Sequence, residues 1–289
     1  MKNVRKIVGI ALAMTLMMPA AGFAKDAEMR LSSSSCQSCE KLDGFVPPGR
    51  INDEIRKMVG KYKGGGGAEN VAIQKARGVI ETYLTPNFIA GGDCPEIDSE
   101  KWAIDYTHKR ASAALHKGID IPQQAGTPIR AVADGVVVGK FENEYNRKGI
   151  EVMLRHTPEQ TGLPFWTYSQ YTHLYEMSPL PIGAKVKMGD EIGKTGNTGT
   201  MGKRVRRDAL HFAILYSTFP EWSNDGVVVT PMDGYFMDPN AFYRLEPPYD
   251  SQSLVKLPED QKQVPVPYMK TDGTPVPAGT KRIWPYVCK

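Results

Sequence analysis

Five histidines occur in the 289 residues, at positions 108, 116, 156, 173 and 211, and three of them stand beside the kind of residue a metal site needs. In "LHKGIDI" (115–121) His116 precedes Asp120 by four residues, an H-x-x-x-D spacing. Ile119 and Ile121 mark one face of a strand and leave Asp120 on the other. Along a fully extended chain the two side chains would stand about 13 Å apart, too far to share an ion. Gly118 lies between them and can bend the backbone so that they converge. In "RDALHFAI" (207–214) Leu210, Phe212 and Ile214 point one way, and His211 points the other, between Ala209 and Ala213. His173 sits in "YTHL" (171–174), directly after the aromatic run "FWTYSQY".

The elements that must position these residues are mostly strands. Glycine and proline number 28 and 22, a frequency that favours many turns over long helices. From about Trp102 onward short apolar runs alternate with turn signals: 127–141, with a hairpin expected at Asp134-Gly135, then 149–156, 165–174, 184–199 and 209–215. The pattern predicts a mainly β domain with an antiparallel sheet over residues 101–247. Upstream, "INDEIRKMVGKY" and "AENVAIQKARGVIETYL" carry apolar residues at helical spacing and predict two helices split by four glycines. With the polar, Ser-rich arm they make a small region over 25–100. Residues 248–289, rich in proline, are expected to form an extended tail lying over the domain.

The first 24 residues read as a secretory signal: Lys2, Arg5 and Lys6, an apolar run, then small residues ahead of Lys25. Its removal takes away three positive charges and lowers the formal net charge from +4 to +1. A nearly neutral chain gives no support to a nucleic-acid partner. No other apolar run is long enough to span a bilayer, so no stable membrane anchor is expected after cleavage. In an exported chain Cys36, Cys39, Cys94 and Cys288 are expected to form disulfides, with three pairings open.

The joint occurrence of "HKGIDIPQQAGTPIRAVADGVVV", "YTHL", "GDEIGKTGNTG" and "LHF" in this order resembles the lysostaphin-type, LytM or β-lytic, zinc metallopeptidases, which cut peptide cross-links of bacterial cell walls. The resemblance covers about residues 102–245 and implies a barrel-sandwich metallopeptidase domain. It implies that His116, Asp120 and His211 are zinc ligands and that His173 is an acid/base and transition-state residue. The chemistry agrees: two imidazoles and a carboxylate leave a fourth zinc position for water, as a catalytic site requires. The implied substrate is peptidoglycan peptide, and the implied location is the cell envelope, periplasmic or secreted.

The chain departs from the family pattern at Ala209, where the first histidine of an H-x-H motif stands in the family, and at Ala213, where a glutamate is usual. The resemblance makes that missing histidine a helper of the chemistry and not a ligand. An exported zinc endopeptidase with an incomplete motif is therefore set against a catalytically silent relative that holds wall peptides or regulates a partner cell-wall hydrolase. His156 matches a structural turn histidine; His108 is a candidate substitute for the missing one. Lys203, Arg204, Arg206 and Arg207 make the loop before His211 longer and more basic than the family shows. A lipoyl-type domain shares the glycine-rich hairpins but lacks its hairpin-tip lysine here.

Overall fold

The run "ALHFAILYS" forms the strand about which the molecule is organised. In the computed structural model, which describes residues 36–59, 68–95, 106–107, 115–143, 148–199 and 208–289, every residue of this strand except Tyr216 is buried. The leader, His108, the four-glycine run and the basic loop lie outside the described residues. Residues Ser35–Lys289 make one unit.

Two short helices come first, α1 (Asp53–Val59) and α2 (Ala68–Ala76). They are followed by β1 (Thr85–Phe88), β2 (Ile119–Pro122), β3 (Pro128–Arg130), β4 (Gly135–Asn143), β5 (Gly149–His156), β6 (Trp166–Thr172), β7 (Lys185–Val186), β8 (Glu191–Lys194) and β9 (Ala209–Ser217). Then come β10 (Trp222–Asn224), β11 (Val229–Pro231), β12 (Tyr235–Met237), β13 (Gln263–Val266), β14 (Tyr268–Lys270), β15 (Pro275–Val276) and β16 (Val287–Cys288). The fold is mainly β, as the sequence predicts. A seven-stranded antiparallel sheet runs in the order β12-β9-β6-β5-β4-β7. On its far side β9 is shared: its first half pairs with β2 and its second half with β12. Both faces of β9 are covered, so residues on either side of the strand, Tyr216 excepted, are buried.

Two local expectations are corrected. The hairpin at Asp134-Gly135 does not form: β3 pairs with β8, while β4 pairs with β5 and β7. Asp134 instead makes a corner between the two sheets. Its carboxylate accepts from Met188 N and Lys187 Nζ, each at 2.8 Å, and a Cβ on Gly135 would meet His156 Nδ1 at 2.7 Å. The second helix stops at Ala76 instead of running toward residue 84. Gly78, at φ +96°, closes it: Val79 N bonds back to Gln74 O and Gly78 N to Lys75 O, the glycine-ended pattern that satisfies terminal carbonyls.

The proline-rich tail is woven into the molecule. β13 pairs parallel with β1, and β14 lies between β15 and β16. Trp284 is buried, stacks edge-on with Phe88 and donates from Nε1 to Pro95 O. Cys94 is bridged to Cys288 and Cys36 to Cys39, which selects one of the three pairings.

His156 has the structural place expected of it. Its ring is buried, with Nδ1 donating to Asp134 O and Nε2 facing Ser169 Oγ, each at 2.7 Å. Burial pulls its pKa down from 6.5 to about 4 against the opposing pull of Asp134. Because the folded value lies below the unfolded one, stability is full above pH 6.5 and falls as the pH drops toward 4. The expected loss is about 3 kcal/mol at 1.36 kcal/mol per unit. Urea midpoints at pH 7.5 and 4.5 should show that His156→Gln removes this part of the acid sensitivity.

Candidate metal centre

Asp120 on β2 and His211 on β9 are directly opposed in register, so their side chains leave the sheet side by side on the same face. His211 Nδ1 lies 2.9 Å from Asp120 Oδ1. His116 precedes the strand, yet its Nε2 comes to 2.8 Å from His211 Nδ1 and 3.3 Å from Asp120 Oδ1. Gly118 makes this possible. A Cβ there would stand 2.3 Å from Phe212 O and 3.0 Å from the His211 ring, so no other residue lets this segment lie so close on β9. The expected result for Gly118→Ala is a His116 segment pushed off β9 and metal uptake reduced to background, read by metal analysis of the purified protein.

The three residues are almost fully buried, with His211 the most accessible at 8%. Burial alone would push the Asp120 carboxyl up, but the charge and hydrogen bonds of His116 and His211 hold it well below the usual carboxylate range. The site therefore presents an ionised oxygen and two ring nitrogens aimed at one point. Tetrahedral zinc with bonds of about 2.0–2.1 Å separates its ligand atoms by roughly 3.3 Å. The observed 2.8, 2.9 and 3.3 Å are close to that spacing, and the hard and borderline donors suit zinc.

His173 follows β6, whose last residue, Thr172, is paired with His211 on the side away from Asp120. Its ring centroid lies 5.8 Å from that of His211. The backbone at His173 is left-handed, φ +69°, a conformation a bulky residue adopts only when its surroundings impose it. Its Nδ1 is 2.9 Å from Lys148 O and 3.0 Å from Thr198 O. Both neighbours are carbonyls, so Nδ1 carries the proton and Nε2 is left with the lone pair. Thr198 also accepts from Ile150 N and donates to Leu174 O through its hydroxyl, tying the loop to the strand ends that flank His173.

The structure thus brings His116, Asp120 and His211 together and sets His173 beside them. Ala209 lies one repeat before His211 on the same face, buried, opposite Pro122. Among the aromatic residues around His173, Tyr168 and Tyr171 are core, Trp166 stacks under the Arg155 guanidinium at 3.8 Å, and Tyr175, two residues after His173, is exposed. The carbonyl clamp of Lys148 and Thr198 was not legible in the sequence, because any residue carries a carbonyl; "GNTG" signalled only a turn.

Residues 114–229 match the family model described as peptidase family M23. The matched span contains His116, Asp120, His173 and His211. Over 101 residues the chain is 37% identical to the peptidoglycan DD-endopeptidase ShyC of Vibrio cholerae, covering 35% of this chain and 20% of that protein. It is 27% identical over 197 residues to the uncharacterized lipoprotein YgeR of Escherichia coli, covering 65% of this chain and 70% of that one. The catalytic domain of lysostaphin from Staphylococcus simulans is similar at 25% identity and a TM-score of 0.30, over 40% of this chain and 74% of that one. The first relatives are thus matched over about a fifth of their own length.

Proposed function

We propose that this chain is an exported zinc metalloendopeptidase that hydrolyses peptide bonds in bacterial peptidoglycan. The observation that carries the reading is the convergence of His116 Nε2, Asp120 Oδ1 and His211 Nδ1 within 3.3 Å of one another, with His173 alongside. These three would hold the ion through two neutral nitrogens and one carboxylate. When bound, zinc supplies Lewis-acid polarisation of the scissile carbonyl and lowers the pKa of water toward about 7. Asp120 supplies the single negative charge among the ligands and keeps both imidazoles oriented. His173, fixed at Nδ1 by two carbonyls, accepts or donates a proton at Nε2 or steadies the developing oxyanion, a contribution of typically about 10²- to 10⁴-fold. The wall peptide as substrate, and the envelope as the location, are supported by the match to an M23 model and by the peptidoglycan DD-endopeptidase name of the Vibrio cholerae relative.

Ala209 favours a second reading, a silent relative that holds wall peptides or regulates a partner hydrolase, because a methyl group cannot take part in proton transfer. The test is metal analysis of the purified protein together with digestion of purified peptidoglycan. About one zinc per chain and release of peptide fragments, lost in His173→Ala, support the endopeptidase. One zinc with no fragments released supports the silent relative.

A further inference from the structure

Asp120 and His211 are fixed by the hydrogen-bond ladder between β2 and β9, but His116 lies three residues ahead of the first residue of β2 and outside that ladder. The segment that carries it, 115–117, is instead held residue by residue from α1, α2 and the 106–107 turn. Leu115 N donates to Gln74 Oε1 of α2 at 3.0 Å. His116 O accepts from Thr107 N at 2.8 Å. Lys117 Nζ donates to Met58 O at 2.7 Å, taking one of the carbonyls that the end of α1 leaves unpaired within the helix. The ammonium of Lys117 also lies over the Phe236 ring at 5.4 Å.

The three brackets are themselves anchored. Gln74 is buried, and its backbone carbonyl closes the end of α2. Tyr106 OH donates to Gly78 O at 2.7 Å, and Thr107 Oγ1 donates to Glu81 Oε2 at 2.8 Å, so the 106–107 turn is tied to the chain that leaves α2. Met58 and Val59 are core. None of these partners, Met58, Gln74 and Thr107, falls within residues 114–229 that match the family model. The family domain by itself therefore contains His116 but not what holds its main chain from behind.

We infer that the N-terminal helical pair and the 106–107 turn form a positioning bracket for His116, with Gln74 and Lys117 as its side-chain members, and that metal affinity depends on it. The inference rests on the zinc reading of His116, Asp120 and His211. The physical reason is preorganisation: a ligand outside the ladder must be ordered when the ion binds unless its backbone is already fixed, and that ordering is subtracted from affinity. Groups that orient metal ligands from behind typically change affinity by about 10- to 100-fold when removed.

The experiment is a zinc titration of the full mature chain against a competing chelator, with the melting temperature of the zinc-free protein as a control. Gln74→Met keeps the shape and removes the acceptor for Leu115 N; Gln74→Glu keeps an acceptor oxygen. Lys117→Met keeps the stem and removes the donor to Met58 O; Lys117→Arg keeps a cationic donor. Both methionine variants should bind zinc about tenfold more weakly, and each conservative partner should stay near wild type. If Gln74→Met fails to fold, the Lys117 pair decides. Methionine variants with a lower melting temperature but unchanged zinc affinity overturn the inference and leave the metal reading standing. A wild-type chain that takes up no zinc overturns the metal reading and this inference together.

Discussion

Ala209→His is expected to raise the rate of peptide release from peptidoglycan by about 10²-fold or more, without changing zinc content. Ala209 and His211 are two residues apart on β9, so an imidazole at 209 leaves the strand on the face that carries the His211 ring. It would stand next to the three donor atoms without displacing any of them, because the ligands come from β9 at 211, from β2 and from the segment before β2. The backbone bond from residue 209 N to Gly196 O does not depend on the side chain, so the strand is kept. A general acid or base brought within reach of the reacting bond contributes typically 10²- to 10⁴-fold, and the lower end is the expected gain for an unoptimised placement. Equal zinc content with no gain in rate would show that the missing histidine is not what limits the chemistry and would shift the balance to the silent relative. The comparison is made by separating soluble muropeptide fragments released by wild type and variant under the same conditions.

Asp120→Ala is expected to abolish zinc uptake, weakening affinity by more than about 100-fold, and to remove any hydrolysis with it. Asp120 is the one carboxylate of the cluster. Its oxygen faces His211 Nδ1 at 2.9 Å and His116 Nε2 at 3.3 Å. Without it, two ring nitrogens remain 2.8 Å apart with no negative charge to hold a cation or to keep both rings turned inward. Asp120→Asn separates charge from shape, since it keeps an oxygen in place and loses the ionised form that the neighbouring imidazoles stabilise. Zinc affinity for Asp120→Asn should fall between wild type and Asp120→Ala. Titration of all three proteins checks the order, and an Asp120→Ala chain that binds zinc as tightly as wild type would exclude this cluster as the metal centre.

The mainly β character, the strands expected at 149–156, 165–174 and 209–215 and found at 149–156, 166–172 and 209–217, and the residues with metal-site chemistry were legible in the sequence because each rests on local information. Alternation marks strands, and histidine and aspartate are scarce enough in the right neighbourhood to stand out. The alternation in "ALHFAIL" placed His211 on the face opposite Leu210 and Phe212, and the register of β9 agrees with it. Two boundaries were misread for a shared reason. Asp134-Gly135 has the composition of a hairpin turn, but whether such a pair reverses one strand or joins two sheets depends on what its side chain and carbonyl bond to, here Met188, Lys187 and His156. The helix from residue 68 has apolar spacing that continues past Ala76, and the approach of Gly78 to Phe236, 158 positions further on, is absent from any local window.

By itself the sequence showed which side chains have metal-site chemistry, His116, Asp120, His211 and His173, and where the chain can bend, at Gly118; their roles, and the reading of Ala209 as the position of an absent helper, came from the resemblance. The tertiary structure alone decided how they meet. His116 and His211 are 95 residues apart in the chain, and their 2.8 Å approach follows from β2 lying against β9. The proton on His173 was placed by two carbonyls, and the hold on His116 by Gln74, Thr107 and Lys117, in bonds that each have a main-chain group at one end at least. Side-chain chemistry is written residue by residue, whereas the orientation of main-chain donors and acceptors exists only once distant segments have packed.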